Sequence, residues 1–277
     1  MRNAARVAGL GLLWLAPLIL GCGAAAAAEP GERYQGRVIV TGTGEPNRRT
    51  GFAQCLEDVL VKVSGDPRLI GDRRVKALGP DAGALVTKFH YRDLMAGRPI
   101  RDEQGTRDRP HELMVDFDAA KIDAALRSLG RKPWAGERPQ VAVFLAVRNR
   151  DVTFVLAADG ERGSGQPESL AAASWRVGVP IMVPDTAGLA KAGLTFDQVA
   201  GGDLGRLDAA AKAVGADQAL AGRLTWSDAV HGWVAEWRIA TGGKAYAWRV
   251  SGVNFDEAFR NALRGAAQVL SSNGQPK

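Results

Sequence analysis

Apolar residues along the chain recur at two spacings, and each spacing names an element. In "NRRTGFAQCLEDVLVKVSGDP", Phe52, Cys55, Leu56, Val59, Leu60 and Val63 recur at helical intervals. Asn47 stands where an N-cap would, Gly65 where a left-handed C-cap would, and Pro67 blocks continuation. Before this helix, "RYQGRVIVTG" (33–42) alternates Tyr34, Val38 and Val40 with polar residues and reads as a strand. After it, a strand is expected around Leu85 to Tyr91. The charged loop "LMAGRPIRDEQGTRDRP" then joins it to "HELMVDFD", which sets Leu113, Val115 and Phe117 on one face. Asp118 precedes a short helix with Ile122, Ala125, Leu126 and Leu129 on its apolar side and Gly130 at its end. The pattern predicts β-α-β-β-α across 33–130, with one sheet face covered.

A Pro-bearing, charged stretch, "RKPWAGERP" (131–139), marks a boundary. Beyond it "QVAVFLAV" is continuously apolar, as a strand buried on both faces is. The polar loop "DGERGSGQPES" leads to a helix over Leu170 to Val177, and "GVPIMVP" reads as another buried strand. Two short helices are expected around Phe196–Val199 and Leu204–Val214, with Gly215 ending the second. Then alternation takes over. Leu220, Leu224 and Trp226 share one face, as do Trp233, Trp237 and Ile239, and Tyr246, Trp248 and Val250. Glu236, Arg238 and Arg249 lie opposite, so the block predicts a three-stranded antiparallel meander with a large apolar face. A last helix offers Phe255, Phe259, Ala262, Leu263, Ala266 and Leu270 to cover that face, with Asn254 and Glu257 spaced as a capping box.

The expected architecture is therefore α+β / α/β in two lobes, the C-terminal one holding buried strands, the meander and the covering helix. The boundaries read as a signal peptide over 1–28 (1–21 if a lipoprotein) and an N-terminal lobe over 29–130. A linker over 131–139, a C-terminal lobe over 140–271 and a disordered tail over 272–277 follow.

The first residues change the picture of where the protein acts. Arg2 and Arg6 precede an uncharged run from Val7 to Leu20, and small residues at Ala26 and Ala28 suit a cut before Glu29. "ILGC" offers a second outcome, processing and lipidation at Cys22, although Leu20 is large for that motif. A third keeps the stretch as an uncleaved anchor, since Val7 to Ala28 is long enough to span. All three place the body outside the cytoplasm, in the periplasm or tethered to the membrane there. Only Cys22 and Cys55 occur, so no disulfide framework supports the fold. The formal charge of +6 is scattered without a basic run beyond "RR", which argues against nucleic acid as partner.

No constellation names a reaction. His111-Glu112 begins like a zinc-protease motif, but Val115 stands where the second histidine must be, and His90 and His231 have no partner spacing. "TGTGEP" lacks the residues of a phosphate loop, and "VKVSG" is not a nucleophile elbow. No cofactor and no metal site are expected. If a hydrolytic site exists, His90, Asp93 and His111 are its candidates, brought together only if 85–118 folds as a hairpin. The meander tryptophans Trp226, Trp233, Trp237 and Trp248 read first as core and second as a stacking platform for glycan.

"FAQCLEDVLVKVSGDP", "VDFDAAKIDAALRSLG", Trp134 with Arg138 and Pro139, "GVPIMVP", "GADQALAGRL" and "GWVAEWRI" occur in that order. The order resembles the bacterial family catalogued as domain of unknown function twenty sixty-six. The resemblance implies an exported envelope protein and carries over no catalytic residue. The C-terminal block is also similar, at the level of fold alone, to small α/β domains of envelope-assembly proteins. The expectation is an exported cell-envelope protein, a non-catalytic binding or assembly module acting on protein partners or peptidoglycan. It touches the membrane only through its N-terminal segment or a lipid on Cys22. The alternatives are a periplasmic hydrolase built around residues 90–112 and a glycan-binding module.

Overall fold

Helix α1 (Glu45–Ser64) is apolar on one face in its first turns and buried on every side from Val59 to Ser64, so it packs between two layers. A computed structural model describes residues 30–97 and 108–277 of the chain. One side of α1 lies on a three-stranded antiparallel sheet of β1 (Gln35–Thr41), β3 (Pro110–Phe117) and β2 (Val86–Asp93), in that order. Val40, Leu113, Val115 and Phe117 meet Phe52, Leu56 and Leu60 in the core of this lobe. Two glycines permit the close approach. A Cβ on Gly36 would come 2.6 Å from Cys55 Cβ, and one on Gly51 2.6 Å from Leu113 Cδ2. A short α2 (Arg73–Leu78) and α3 (Ala119–Ser128) complete the lobe, with the Asp118 side chain accepting from the Lys121 amide as its sequence position implies.

The C-terminal lobe is a mixed sheet in the order β5 (Val152–Val155), β4 (Val141–Asn149), β7 (Gln218–Ser227), β8 (Gly232–Thr241), β9 (Lys244–Val253). β4 pairs parallel with β7, and β7, β8 and β9 form the expected antiparallel meander. All of Val141 to Val147 is buried because both faces of β4 are covered. Helices α4 (Gln166–Val177) and α8 (Phe255–Leu270) pack on one side with Leu145, Leu220, Leu224 and Trp237. On the other side α5 (Thr186–Lys191), α6 (Phe196–Gly201) and α7 (Leu204–Ala213) pack on Ala142, Phe144 and Ala219. The protein is thus a mixed α+β fold with two sheets and a C-terminal helix on the meander, as its patterning indicates.

Several local expectations are corrected. α1 begins at Glu45 with Gly44 as its cap, because Pro46 has no amide to lose in the first turn and starts the helix ahead of Asn47. The Asn47 side chain instead donates back to the Thr41 carbonyl. "GVPIMVP" forms only the two-residue, half-buried strand β6 (Ile181–Met182), paired parallel with the start of β4. Pro180 and Pro184 limit it on both sides. At α8 the Asn254 side chain accepts from the Glu257 amide, but the Glu257 carboxylate turns to Arg260 and Arg264 rather than closing a capping box. Residues 272–277, which the sequence leaves as a tail, are held: Asn273 donates to the Ser64 carbonyl and Gln275 to the Ala247 carbonyl. Among the described residues no helix is long and apolar enough to cross a membrane.

Candidate functional site: a cation-lined cleft

The second layer on α1 is α4, and the contact between them is unusually rich in cations. Lys62 belongs to the last turn of α1, where packing from both lobes leaves it 2% exposed. Its ammonium donates to the Gln35 carbonyl at 2.9 Å and the Glu32 carbonyl at 3.5 Å, and lies 3.4 Å from the centroid of the Trp175 ring on α4. The Arg37 guanidinium sits 4.1 Å from the same centroid. An indole face attracts cations, more strongly where water is excluded.

Residues 131–139 do not run free between the lobes. The Trp134 amide donates to the Val63 carbonyl at 2.8 Å. The Arg138 guanidinium donates to the carbonyls of Val177, Gly178 and Lys62, gathering the ends of α1 and α4 onto one side chain. It also lies 4.5 Å from the Trp134 ring. Gly178 caps α4 at φ +63°, and a Cβ there would meet Arg138 Nη1 at 2.3 Å, so both its conformation and its lack of a side chain are needed.

These groups border a cleft of about 320 Å³ whose walls include Arg33, Lys62, Trp175, Val179, Pro180 and Ile181. Among the described residues the one acidic residue on its walls is Glu32. Burial pushes the Lys62 amine down to about 7; the Asp58 charge opposes this, and Arg138 and Arg37 add to it. Burial likewise pulls Arg138 down to about 10, with Arg33 contributing. Asp58, one turn before Lys62, is raised by burial against the pull of Arg176, whose Nη1 is 3.7 Å from Asp58 Oδ2. Among the described residues, none of Arg33, Arg37, Lys62 and Arg138 has a carboxylate within ion-pair distance. Chemically this is a seat for negative charge beside an apolar wall. Lys62 is too enclosed, and too committed to carbonyls, to be an open nucleophile.

Among the described residues, none of the sequence candidates lines this cleft. Strands β2 and β3 pair antiparallel, which sets Asp93 opposite His111. His90 pairs with Met114 on the other face of the sheet, so the three do not converge. Arg109 Nη1 donates to the Asp93 carboxylate at 2.9 Å, and His111 Nδ1 lies 2.8 Å from the Arg109 carbonyl. Cys22 and the Ala28–Glu29 cut lie outside the described residues. Of the meander tryptophans, Trp237 and Trp248 are core, while Trp226 and Trp233 are half-buried and meet edge to face at 5.5 Å.

Residues 27–135 match the model of a family described as a domain of unknown function, DUF8605. This overturns the resemblance to family twenty sixty-six. The matched stretch carries the N-terminal lobe and Lys62, and stops before α4 and Trp175. No curated protein and no solved structure matches the chain.

The cleft escaped the sequence reading for a definite reason. In "VLVKVS" a lone lysine at helical spacing reads as the solvated side of an amphipathic helix. The signal available was that its neighbours Val61 and Val63 leave no polar stripe for it to belong to.

Proposed function

We propose that this protein is an exported cell-envelope module that binds rather than catalyses, and that the cleft between its lobes is where it binds. One observation carries the reading: four cations border or back one cleft, Lys62 among them buried, and among the described residues none of the four has a carboxylate within ion-pair distance. Burying unpaired charge is unfavourable unless something compensates it. Carbonyls and indole faces compensate in part, and a ligand would complete the balance. Periplasmic residence and processing at Glu29 or Cys22 belong to the same proposal and rest on the N-terminal pattern alone.

The test is thermal unfolding of the mature protein with soluble peptidoglycan fragments, alongside the Trp175→Ala variant. A rise in Tm for the parent protein that the variant loses supports the reading. An equal rise in both places binding elsewhere. The intact mass of the protein recovered from membrane and soluble fractions decides between a start at Glu29 and a lipidated Cys22.

A second reading, glycan binding, is favoured by one feature of the meander. Its outer face and α6 enclose an open groove of about 620 Å³ bordered by Trp226, Phe196, Arg148, Arg223 and Arg249. Arg223 is paired with Glu236, but the half-exposed indole beside the exposed Arg148 and Arg249 suits a sugar carrying negative charge.

A further inference from the structure

We infer that the ligand of the inter-lobe cleft is an organic anion, one carboxylate- or phosphate-type head on an apolar body. This rests on the cleft being a binding place, and it adds the chemistry of the ligand. The two halves of the cleft differ in kind. Its N-terminal side presents Lys62 and Arg33, with Arg37 and Arg138 close enough that their charges act on Lys62. Its C-terminal side presents Val179, Pro180, Ile181 and the Trp175 ring.

Neither side is self-sufficient. Ser174 is already committed, its hydroxyl donating to the Val179 carbonyl at 2.6 Å. Arg33 Nε is buried and has no hydrogen-bond partner. An unpaired buried donor on a cation is the group that gains most from an anionic acceptor, because charge-assisted bonds are stronger than neutral ones. A cationic ligand would meet Lys62 and Arg33 on the N-terminal side, with Glu32 the one acidic described residue there. A neutral ligand would cover the apolar wall and leave the charges as they are. The volume, near 320 Å³, is at the small end of ligand sites and suits a body of modest length. Protonated Lys62 is the form that an anion favours, so binding should also lift the amine back toward its ordinary range.

The experiment uses two fluorescent probes on the mature protein: 1-anilinonaphthalene-8-sulfonate, which is anionic, and the neutral N-phenyl-1-naphthylamine. Octanoate, octyl phosphate and octanol serve as competitors. The expected result is that octanoate or octyl phosphate displaces the sulfonate while octanol at the same concentration does not. Whichever of the two acids displaces better identifies carboxylate or phosphate as the head. Arg33→Gln, at the partly exposed mouth of the cleft, should weaken sulfonate binding about tenfold and leave the neutral probe unchanged. It reports even if Lys62→Gln fails to fold. If octanol displaces as well as octanoate and Trp175→Ala abolishes both, the cleft binds ligands but the anion chemistry is wrong. If Trp175→Ala changes the binding of neither probe, the cleft is not a binding place and both readings fall.

Discussion

Gly222 on β7 lies directly beneath the indole of Trp237 on β8, its register partner. A Cβ at Gly222 would come 2.2 Å from Cζ3 of that ring and 2.8 Å from Leu145 Cδ1. Trp237 is fully buried and cannot withdraw. Gly222→Ala should therefore lose about 1–3 kcal/mol by overpacking, against a smaller gain of about 0.5–1 kcal/mol in strand entropy. Urea unfolding measures the balance. Trp237→Phe in the same background should recover much of the loss, since it opens the space a methyl needs and removes an indole N–H that has no partner. Equal losses with and without Trp237→Phe would show that the clash is not the cause.

Asp66 binds the N-terminal lobe to its connector. Its carboxylate is fully buried and accepts from Arg68 Nε at 2.7 Å and Arg68 Nη2 at 2.8 Å, while Arg131 Nε lies 2.6 Å away. Burial works against its charge, but the bonds from the Arg68 side chain and amide, with the charges of Arg68 and Arg131, hold the carboxyl below its usual range. A carboxyl lowered by folding stabilises the protein above its unfolded value, near 3.9, and that stability is lost as pH falls through the lower folded value. Asp66→Asn should cost about 1–3 kcal/mol at pH 7 and much less below pH 3. Unfolding curves at the two pH values test this; a loss of the same size at both would remove the ion pair as its source.

How much of this the sequence exposes depends on how local each signal is. The meander and α8 are plain in it, because alternation and the 3.6-residue period each persist over ten residues or more. Helices α2 and α5 are not, being six residues each. Yet Asp72 and Asp185 cap them with side chains accepting from the Arg74 and Gly188 amides, a signal that can be read in the sequence. The cleft is another matter. Lys62, Trp175 and Arg138 are far apart in the chain, and each is unremarkable alone. What brings them together is that α1 is covered from both sides, which is a property of the packing of two lobes and of no single segment.

Cys55 is expected to be inert. It is fully buried, and burial pushes its thiol up to about 12, with the Asp58 charge adding to the shift. At pH 8 the thiolate is then scarcer than in the unfolded chain by on the order of a thousandfold. Maleimide labelling should be negligible in buffer and complete in 6 M urea, about the upper range of urea in which small domains unfold. Fast labelling in buffer would mean that α1 separates from β1 without global unfolding, since Gly36 covers the Cys55 Cβ.

Lys62 makes stability depend on pH in an alkaline direction. In the folded chain its amine titrates at about 7. In the unfolded chain it titrates near 10.4. Between these values the unfolded chain holds a proton that the folded chain has released, so stability rises with pH across the window. Below about 7 both states carry the proton and the burial penalty stands in full. Lys62→Met keeps the stem that packs beside Gly178 and removes the charge. Relative to that variant, the parent protein should gain up to about 1.4 kcal/mol for each pH unit from 7 to 9. Urea unfolding of both proteins at pH 6, 7, 8 and 9 gives the difference directly, and groups common to both cancel. Parallel curves would mean that Lys62 keeps its proton, as it would if the Trp175 ring and the two carbonyls solvated the charge fully. Saturating octanoate distinguishes a further case: an anion in the cleft holds the proton on, so the slope should flatten only when the cleft is filled.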